Sequence, residues 1–391
     1  MTIEKRDVFI SGGGPVGLIL AIGLAHAGRT VVLAEKNAFE QGENGSFDGR
    51  VLALTYGSVC TLDTLGIWSD LQPYTTSLEH VHVSQKGYLG LTHLHASEMK
   101  VPALGYSVTA SDLGQVLWQN TAELEGVTLL PQSGLVDFQL QENKQQVHLE
   151  TLSGQQTFEV DLVVGADGTQ STVRQLLDLP IEVKDYQAFG VIAKIETEQS
   201  PNGWAFERFT EQGPVALLPM KGHDSKAVWV VPADEVEQVK ALDDQAFMQA
   251  FSQKMGERLG AFVNVSERVF YPLTETYVPT FIKPRAVLMG NASHTQHPVA
   301  AQGLNLGISD IQAFLEKVEN ATDLGEWSLL SDYAEERKAH HEKIMGLTDG
   351  LIQLFQTESP VVGHLRGLGL MAMNAIPSFR KRFTKMTMGM K

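Results

Sequence analysis

A glycine-rich turn near the N-terminus has the residue types and the spacing needed to hold a dinucleotide. Gly12, Gly14 and Gly17 form a G-x-G-x-x-G pattern that encloses Pro15. In such a pattern the first glycine makes a tight turn, the second lets the backbone approach a pyrophosphate, and the third lets a helix pack closely on a strand. Glu35 follows 18 residues after Gly17, at the distance where an acid hydrogen-bonds the ribose hydroxyls. The sequence therefore predicts a dinucleotide-binding turn.

Two more glycine turns follow strongly apolar segments later in the chain. Residues 163–168 read VVGADG and include Asp167, and residues 287–294 read VLMGNASH and include Asn291. On its own, an Asp-Gly turn after a buried strand also fits a hairpin or a helix cap. A helix that starts beyond such a turn directs free backbone N–H groups toward an anionic or electron-rich group. The last turn is therefore predicted to form part of a site for such a group.

A βαβ unit at the N-terminus must position the first turn. Residues 7–11 and 30–35 are apolar runs typical of buried strands, and residues 15–27 between them are predicted to form a helix. A proline just inside this helix and a glycine just past its end are the expected boundary residues. Residues 52–71 are predicted to be helical as well.

The pattern changes between about residue 180 and residue 282. β-Branched and aromatic runs alternate there with turn residues, which predicts an antiparallel sheet, and residues 243–259 are predicted to form a covering helix. A strand at 286–289 and a helix over 303–318 then resume the first pattern. We therefore predict an α/β fold with a discontinuous Rossmann-like dinucleotide-binding domain, an inserted antiparallel-sheet substrate domain and a C-terminal helical segment. The predicted bounds are 1–72, 98–178 and 283–345 for the first, 73–97 and 179–282 for the second, and 346–391 for the third.

The composition excludes several classes of function. Acidic residues number 46 against 30 Lys and Arg, and the net charge of −16 would repel a phosphate backbone, so we expect no nucleic-acid partner. A mean hydropathy of −0.07 excludes a protein with many membrane spans. The single cysteine, Cys60, excludes a disulfide scaffold and a cysteine-based metal site, and it is typical of the reducing cytoplasm.

Histidines offer an alternative that requires a metal. His80 with His82, and His93 with His95, form H-x-H pairs on apparent strands, so both rings of a pair lie on one face. The sequence around them is not rich in carboxylates, and histidines on half-buried strands are usually structural. We therefore expect no metal site.

Taken together and in this order, the three turns resemble those of the FAD-dependent aromatic hydroxylases, which are single-component flavoprotein monooxygenases. The resemblance covers nearly the whole chain. Residues 47–54 (FDGRVLAL), 213–220 (GPVALLPM) and 302–307 (QGLNLG) are similar to segments of the ubiquinone-biosynthesis hydroxylases, most of all to the 2-polyprenyl-6-methoxyphenol hydroxylase branch. This resemblance implies FAD as the bound cofactor and NAD(P)H as a transient reductant.

The resemblance also implies cofactor contacts, position by position. The three glycines of the first turn, with Pro15, would hold the FAD pyrophosphate, and Glu35 would hold the adenosine ribose. The other positions that match the family are Arg50 at the phosphates, Gln115 near the ribityl chain, Asp167 at FAD and NAD(P)H, Asn291 at a ribityl hydroxyl where the wider family has Asp, and Pro298, Gly303, Leu304 and Asn305 around the flavin. The helix that begins near Gly303 would direct its N–H groups at flavin N1 and O2.

For the reaction, the resemblance implies hydroxylation of a (poly)prenylated phenol in ubiquinone biosynthesis, with O2 activated as a C4a-hydroperoxyflavin. Leu218, Pro219 and Trp229 on the antiparallel sheet, and His297 beside the flavin, are the expected substrate contacts. We identify no catalytic side chain, because flavin chemistry requires neither a triad nor a carboxylate pair. A catabolic hydroxylase of a small soluble phenol and a non-catalytic flavin-binding subunit of a quinone-biosynthesis complex are the alternatives.

The C-terminal segment differs in charge from the rest of the chain. Residues 361–391 contain six Lys and Arg and no acid, which leaves 24 basic against 46 acidic residues elsewhere. Because these basic residues alternate with Leu, Met and Phe, we predict that the segment contacts a membrane surface or quinone-biosynthesis proteins, so that the protein is peripherally membrane-associated. The alternative is that it packs as the last helix of the flavin domain, with its charges facing water.

Overall fold

We describe the chain from a computed structural model that covers residues 3–38, 50–296, 302–356 and 359–390. These residues form twenty strands and twelve α-helices. The strands are β1 (Glu4–Ser11), β2 (Val31–Glu35), β3 (Val51–Thr55), β4 (Thr76–Leu78), β5 (His80–Gln85), β6 (Leu91–His95), β7 (Gly105–Thr109), β8 (Val127–Pro131), β9 (Gly134–Gln141), β10 (Lys144–Thr151), β11 (Gly154–Gly165), β12 (Glu182–Thr197), β13 (Trp204–Thr210), β14 (Gly213–Pro219), β15 (Asp224–Pro232), β16 (Phe262–Val265), β17 (Val269–Tyr277), β18 (Ile282–Lys283), β19 (Ala286–Leu288) and β20 (His294–Thr295). The helices are α1 (Pro15–His26), α2 (Tyr56–Thr64), α3 (Trp68–Leu71), α4 (Ala96–Met99), α5 (Ala110–Ala122), α6 (Thr172–Leu176), α7 (Val236–Lys240), α8 (Asp244–Met255), α9 (Gln302–Val318), α10 (Trp327–Gln356), α11 (Pro360–Ala375) and α12 (Pro377–Thr387).

The first sheet has eight strands and a parallel core. Its order is β18-β19-β11-β1-β2-β8, and the hairpin of β9 and β10 pairs with β11. Strands β19, β11, β1, β2 and β8 run parallel, and all five residues of β2 are buried. Such continuous apolar runs are typical of parallel strands covered on both faces. The parallel arrangement brings the carboxyl ends of β1, β2, β11 and β19, with the turns that follow them, to one edge.

The second sheet has nine strands and is mostly antiparallel. Its order is β20-β17-β12-β15-β14-β13-β5-β6, and β16 also pairs with β12. Helix α8 covers one face, where Phe247 and Phe251 pack against Trp229 at ring-centroid distances of 5.6 and 6.2 Å. The opposite face stays free to line a cavity. The predicted α/β fold, with a Rossmann-like sheet, an antiparallel sheet and a helical C-terminal segment, is confirmed.

A small third sheet, β3-β7-β4, contacts β14 of the second sheet through β4 and helix α9 through β3. Its first strand occupies Val51–Thr55, where the sequence predicted the start of a helix over 52–71. That prediction was wrong for the first four residues, because a short apolar run has no periodicity that distinguishes a strand from a buried helix. Helix α2 begins at Tyr56, after the Thr55 side chain accepts a hydrogen bond from the Ser58 N–H.

The C-terminal helices α11 and α12 pack on the edge of the second sheet, against β6 and α4. Arg380 of α12 donates two hydrogen bonds to Glu98 of α4, at 2.9 and 2.8 Å. Met388 is buried with Leu94 and Leu104. The segment therefore packs on the second sheet. It also contacts α2 of the predicted flavin domain, as the packing alternative expected, because the Gly57 N–H donates to the Met388 carbonyl at 2.9 Å. Among the described helices, none combines the length and the apolar composition needed to cross a membrane.

Candidate functional site

A cavity of about 1420 Å³ lies between the carboxyl edge of the first sheet and the free face of the second. At one end it is lined by residues of all three predicted glycine turns, including Gly12, Asp167 and Asn291. At the other end it is lined by apolar side chains of the second sheet and of the C-terminal helices, among them Ala216, Val228, Leu365, Met373 and Phe383. The cavity thus joins a polar, glycine-rich end to an apolar chamber.

The glycines of the first turn serve two different purposes. Gly12 has a φ of 110°, and a Cβ there would lie 2.4 Å from the Ala166 carbonyl oxygen. At Gly17 a Cβ would lie 2.0 Å from the Gly12 carbonyl oxygen. At Gly14, by contrast, a Cβ would meet no atom within 4 Å, and the residue lines the cavity together with Pro15. The first and third glycines therefore permit the turn and its packing, and Gly14 leaves a cradle that a side chain would fill.

Glu35 ends β2 beside this cradle. Its carboxylate accepts hydrogen bonds from the Gly13 N–H at 2.7 Å and from the Asn37 backbone and side-chain N–H groups at 2.9 and 3.0 Å. Only 8% of the residue is exposed, and it lines the cavity. The turn therefore fixes the acid at the end of the strand, as a ribose-binding carboxylate requires.

Asp167, in the second turn, has one free carboxylate oxygen at the cavity. Its Oδ2 accepts hydrogen bonds from the N–H groups of Thr172 and Val173, at 2.8 and 3.2 Å. Its Oδ1 is buried and has no partner among the described residues. A buried acceptor without a partner is costly, so this atom fits a donor supplied by a bound ligand.

The third turn completes the polar end of the cavity. Asn291 is exposed on a short 3₁₀ turn, Gly290–Ala292, and lines the cavity. Arg174 donates to the Ala292 carbonyl at 3.1 Å, which ties this turn to the second one. Gly303 and Leu304, in the first turn of α9, also line the cavity. The N-terminus of α9 is thus directed at the site.

Asn305 lines the cavity, and its side-chain amide makes hydrogen bonds to residues of other elements. Its Oδ1 accepts from the Thr55 N–H at 2.8 Å and from the Ser58 hydroxyl at 2.7 Å, and its Nδ2 donates to the Ala53 carbonyl at 2.8 Å. The side chain therefore links α9 to β3 and α2. The expected flavin contact at Asn305 stays a prediction, and the amide also positions the start of α9.

Other predicted site residues divide into three groups. Arg50 is exposed and lines the cavity, and its Cζ lies 5.7 Å from the centroid of the Tyr271 ring. Gln115 is half-buried on α5 and does not line the cavity. Pro298 and His297 lie outside the described residues.

The expected substrate contacts on the second sheet are only partly at the cavity. Leu218 lines it, whereas the neighbouring Pro219 does not, and the Pro219 carbonyl accepts from the Ser107 hydroxyl at 2.5 Å. Trp229 is a wrong prediction, because it lies on the opposite face and packs on α8. Side chains alternate along a strand, so Val228 and Val230 line the cavity on either side of it.

Several polar groups at the cavity were not predicted from the sequence. Both side-chain polar atoms of Gln296 and the Thr92 hydroxyl are buried at the cavity without partners among the described residues. Glu207 of β13 also lines the cavity. The period-two alternation of β13 could have indicated that Ala205, Glu207 and Phe209 share a face, but not that this face is the free one.

The two H-x-H pairs lie on the sheet face away from the cavity, because Val81, between His80 and His82, and Leu94, between His93 and His95, line it. His82 Nδ1 lies 2.8 Å from His93 Nε2, and His80 Nδ1 lies 2.9 Å from His95 Nδ1. Burial lowers the pKa of His82 to about 4. The histidines thus form hydrogen-bonded pairs across β5 and β6, and the absence of a metal stays a prediction.

A separate buried cluster ties the third turn to α9 and α10. Asp310 of α9 accepts hydrogen bonds from Arg337 Nε at 2.6 Å and His341 Nε2 at 2.9 Å, and His294 Nε2 lies 3.8 Å from its other oxygen. His294, Asp310 and His341 are close enough to hold a metal ion. Arg337 already supplies a positive charge to Asp310, which disfavours a cation at the same oxygens.

Comparison with known proteins agrees with this geometry. Residues 5–348 match the family described as FAD binding domain. The chain is 32% identical over 390 residues to the ubiquinone hydroxylase UbiL of Rhodospirillum rubrum, covering 99% of this chain and 90% of that protein. It is 29% identical to the 3-demethoxyubiquinol 3-hydroxylase of Escherichia coli, with full coverage of both.

A solved structure shares the fold at low sequence identity. The p-nitrophenol 4-monooxygenase PnpA of Pseudomonas putida DLL-E4 superposes with a TM-score of 0.82 at 15% identity, over 100% of both chains. Together with the cavity and its three turns, these matches confirm the FAD cofactor and the family predicted from the sequence. The chain belongs to the FAD-binding-domain family and is an FAD-dependent aromatic hydroxylase of the ubiquinone-biosynthesis group.

Proposed function

We propose that this enzyme hydroxylates a (poly)prenylated phenol in ubiquinone biosynthesis, with NAD(P)H as reductant and O2 as oxygen source. The observation that carries the proposal is the continuity of the cavity, which runs from the FAD turns into an apolar chamber. An isoprenoid chain needs such a chamber, because transfer of apolar surface out of water stabilises the complex. The similarity to proteins named as ubiquinone hydroxylases supports the same substrate class.

The residues at the polar end fit FAD. Gly14 and Pro15 would face its pyrophosphate, Glu35 its ribose, and Asp167 Oδ1 and Asn291 its hydroxyl groups. When bound, FAD would supply the redox chemistry, taking electrons from NAD(P)H and passing them to O2. The chain itself would orient the phenol against the cofactor and exclude water through the apolar lining of the chamber.

An assay with defined substrates tests this proposal. We expect the purified holoenzyme to oxidise NAD(P)H in a manner stimulated by 2-farnesylphenol and to form the hydroxylated product, measured by mass spectrometry. A catabolic hydroxylase would instead respond to phenol or salicylate and not to the prenylated compound. A non-catalytic flavin-binding subunit would show no stimulation by any of the three, and either result would overturn the proposal.

Asn291 provides a test of the cofactor contact. If its amide bonds a ribityl hydroxyl, we expect Asn291→Leu to lose this hydrogen bond to the cofactor and to weaken FAD binding by about 1–3 kcal/mol, or about 5- to 150-fold in Kd. Asn291→Asp is expected to be mild, because a carboxylate accepts the same bond. Fluorescence titration of the apoprotein with FAD measures both, with the exposed Asn320→Leu as control. An equal loss for Asp and Leu would contradict the contact.

We further propose that the C-terminal helices dock a cytoplasmic enzyme on an anionic lipid surface. Val361, Leu365, Leu368 and Met371 recur on one face of α11, and each is at least 51% exposed. Leu365 also lines the apolar end of the cavity. Exposed basic residues follow on α12, at Lys381, Arg382 and Lys385. An exposed apolar face beside an apolar chamber would let an isoprenoid chain pass from lipid into the enzyme.

Vesicle binding tests this docking. Each basic residue near an anionic surface contributes about 1 kcal/mol, or about fivefold in affinity, at low salt. We expect Lys381→Gln, Arg382→Gln and Lys385→Gln together to reduce co-sedimentation with phosphatidylglycerol vesicles, and high salt to reduce it in the unaltered protein. Arg380 is left intact, because it pairs with Glu98. Lys86→Gln, Lys240→Gln and Lys283→Gln remove the same charge elsewhere on the surface. Equal sedimentation of the two triple variants would reject charge-driven docking through α12.

A further inference from the structure

One row of side chains crosses the cavity face of the second sheet and contains a single carboxyl group. Backbone pairing aligns, in order across five strands, Ile192, Val228, Ala216, Glu207 and Val83. All of these residues line the cavity. Glu207 therefore stands in the middle of an apolar wall that lines the same cavity as the FAD turns.

The surroundings of Glu207 provide it with no partner. Within the described residues its carboxyl group makes no ion pair and no hydrogen bond. Two cationic side chains line the cavity from elements near this wall, and both donate hydrogen bonds to backbone carbonyl groups. Lys226 of β15 donates to the Val51 carbonyl at 2.5 Å, and Arg366 of α11 donates to the Leu354 carbonyl at 2.6 Å.

Other ionisable groups are separated from Glu207. The remaining carboxylates at the cavity are Glu35, at the end of β2, and Asp167, in the second glycine turn, and both belong to the first sheet's edge. Arg208 and His82 lie on the face of the sheet away from the chamber, where they line a separate small pocket with Met255. A carboxyl group that is half-buried, unpaired and directed into a ligand cavity is poorly explained by stability, since burial of such a group costs free energy.

Burial raises the pKa of Glu207 to about 8, and no neighbouring charge contributes to the shift. An ordinary glutamate ionises near pH 4.3 and a phenol near pH 10. A base accepts a proton most effectively when its pKa approaches that of the donor and of the working pH. The pKa of Glu207 is thus much closer to that of a phenol than the pKa of an exposed carboxylate would be.

We propose that Glu207 is the general base that takes the phenolic proton of the substrate, an inference that rests on the proposed function. The phenol O–H bond breaks, its proton forms a bond to a Glu207 carboxylate oxygen, and the electron pair left on the phenolate activates the ring carbon. One atom of O2 forms the new C–O bond as a hydroxyl group, and the other leaves as water. The C–H bond at that carbon breaks as the ring regains aromaticity, and its proton goes to the phenolate oxygen. NAD(P)H supplies the two electrons, and the proton held by Glu207 is one of the two that the water takes. The other proton of the water and that of the new hydroxyl group come from NAD(P)H and from solvent.

The isosteric variant Glu207→Gln separates this role from a structural one. With 2-farnesylphenol we expect kcat to fall by about 100-fold or more, the usual contribution of a general base. We also expect the unaltered enzyme to gain activity with rising pH through an inflection near 8, and the variant to lose that inflection. With 2-farnesyl-4-nitrophenol, which ionises without help at alkaline pH, the ratio of the two rates is expected to approach one. Comparing the two enzymes on each substrate cancels the lower reactivity of the nitrated ring.

Two further measurements do not depend on turnover. FAD content is expected to be unchanged, because Glu207 lies outside the FAD turns. A carboxyl group whose pKa is raised on folding stabilises the folded state below its unfolded pKa and loses that contribution as the pH rises through 8. The melting temperature of Glu207→Gln is therefore expected to rise relative to that of the unaltered protein between about pH 4 and about pH 8, and the difference is expected to level off above pH 8. Glu211→Gln, an exposed change in the following turn, is the matched control and is expected to alter none of these properties.

The outcomes distinguish this inference from the proposed function. If the unaltered enzyme does not hydroxylate 2-farnesylphenol, the proposed function fails. If it does, and Glu207→Gln keeps the same pH profile or loses as much rate on the nitrated phenol as on the ordinary one, Glu207 is not the base.

Discussion

Gly14→Val is expected to abolish FAD binding while the protein stays folded. A Cβ at this position meets no protein atom within 4 Å, and the residue lines the polar end of the cavity. Its φ of −73° and ψ of 177° are accessible to valine, so the backbone is not strained by the change. The new side chain would instead project into the space where the backbone must approach the pyrophosphate.

Flavin content and secondary structure check this prediction together. We expect the purified variant to lack the absorbance of bound FAD and to give the circular dichroism spectrum of the unaltered protein. Gly346→Val is the matched control, because a Cβ there also meets no atom within 4 Å but the residue lies on the exposed side of α10. Normal FAD affinity in a folded Gly14→Val protein would contradict the assignment of the first turn. Gly12 and Gly17 are less suitable tests, since a Cβ at either would collide with backbone atoms.

The polar end of the site could be predicted from the sequence because its determinants are local. The glycine turn, the helix after it and the acid at the end of β2 fall within the first 35 residues, and their arrangement follows from local spacing. Asp167 and Asn291 stand directly after buried strands that run parallel to β1, so their strands bring them to the same edge. Each of these inferences needs one strand, one turn and one helix.

The apolar end could not be predicted in the same way, because it depends on which face of a sheet is covered. Trp229 is apolar and flanked by valines, so the sequence gives no reason to place it outside the pocket. Only the packing of α8 determines that its face is closed and that Glu207, on a different strand, faces the chamber. The position of α11 and α12 on the edge of the second sheet is also a long-range contact, made in part by Arg380 with Glu98.

Asp310→Asn is expected to lower the free energy of unfolding by about 3–5 kcal/mol, the usual cost of removing one partner from a buried ion pair. Asp310 is 1% exposed and Arg337 is 4% exposed, and the asparagine would leave the guanidinium buried without a counter-charge. Burial opposes the charge of Asp310, but His341, His294 and Arg337 outweigh it and lower the pKa of the carboxyl to about 2. Its contribution is therefore fully present above its unfolded pKa near 4 and is lost only as the pH falls through 2.

Urea denaturation at neutral pH measures this loss of unfolding free energy, and two further variants serve as comparisons. Glu237→Gln removes one partner of the exposed pair with Lys240 and is expected to cost less than about 1 kcal/mol. The double variant Asp310→Leu, Arg337→Met removes both charges and is expected to be more stable than Asp310→Asn, because no unpaired charge stays buried. The same cluster includes His294, three residues after Asn291, so the single variant should also bind FAD more weakly than the unaltered protein. A loss no larger than that of Glu237→Gln would mean that the cluster contributes nothing to holding the third turn against α9 and α10.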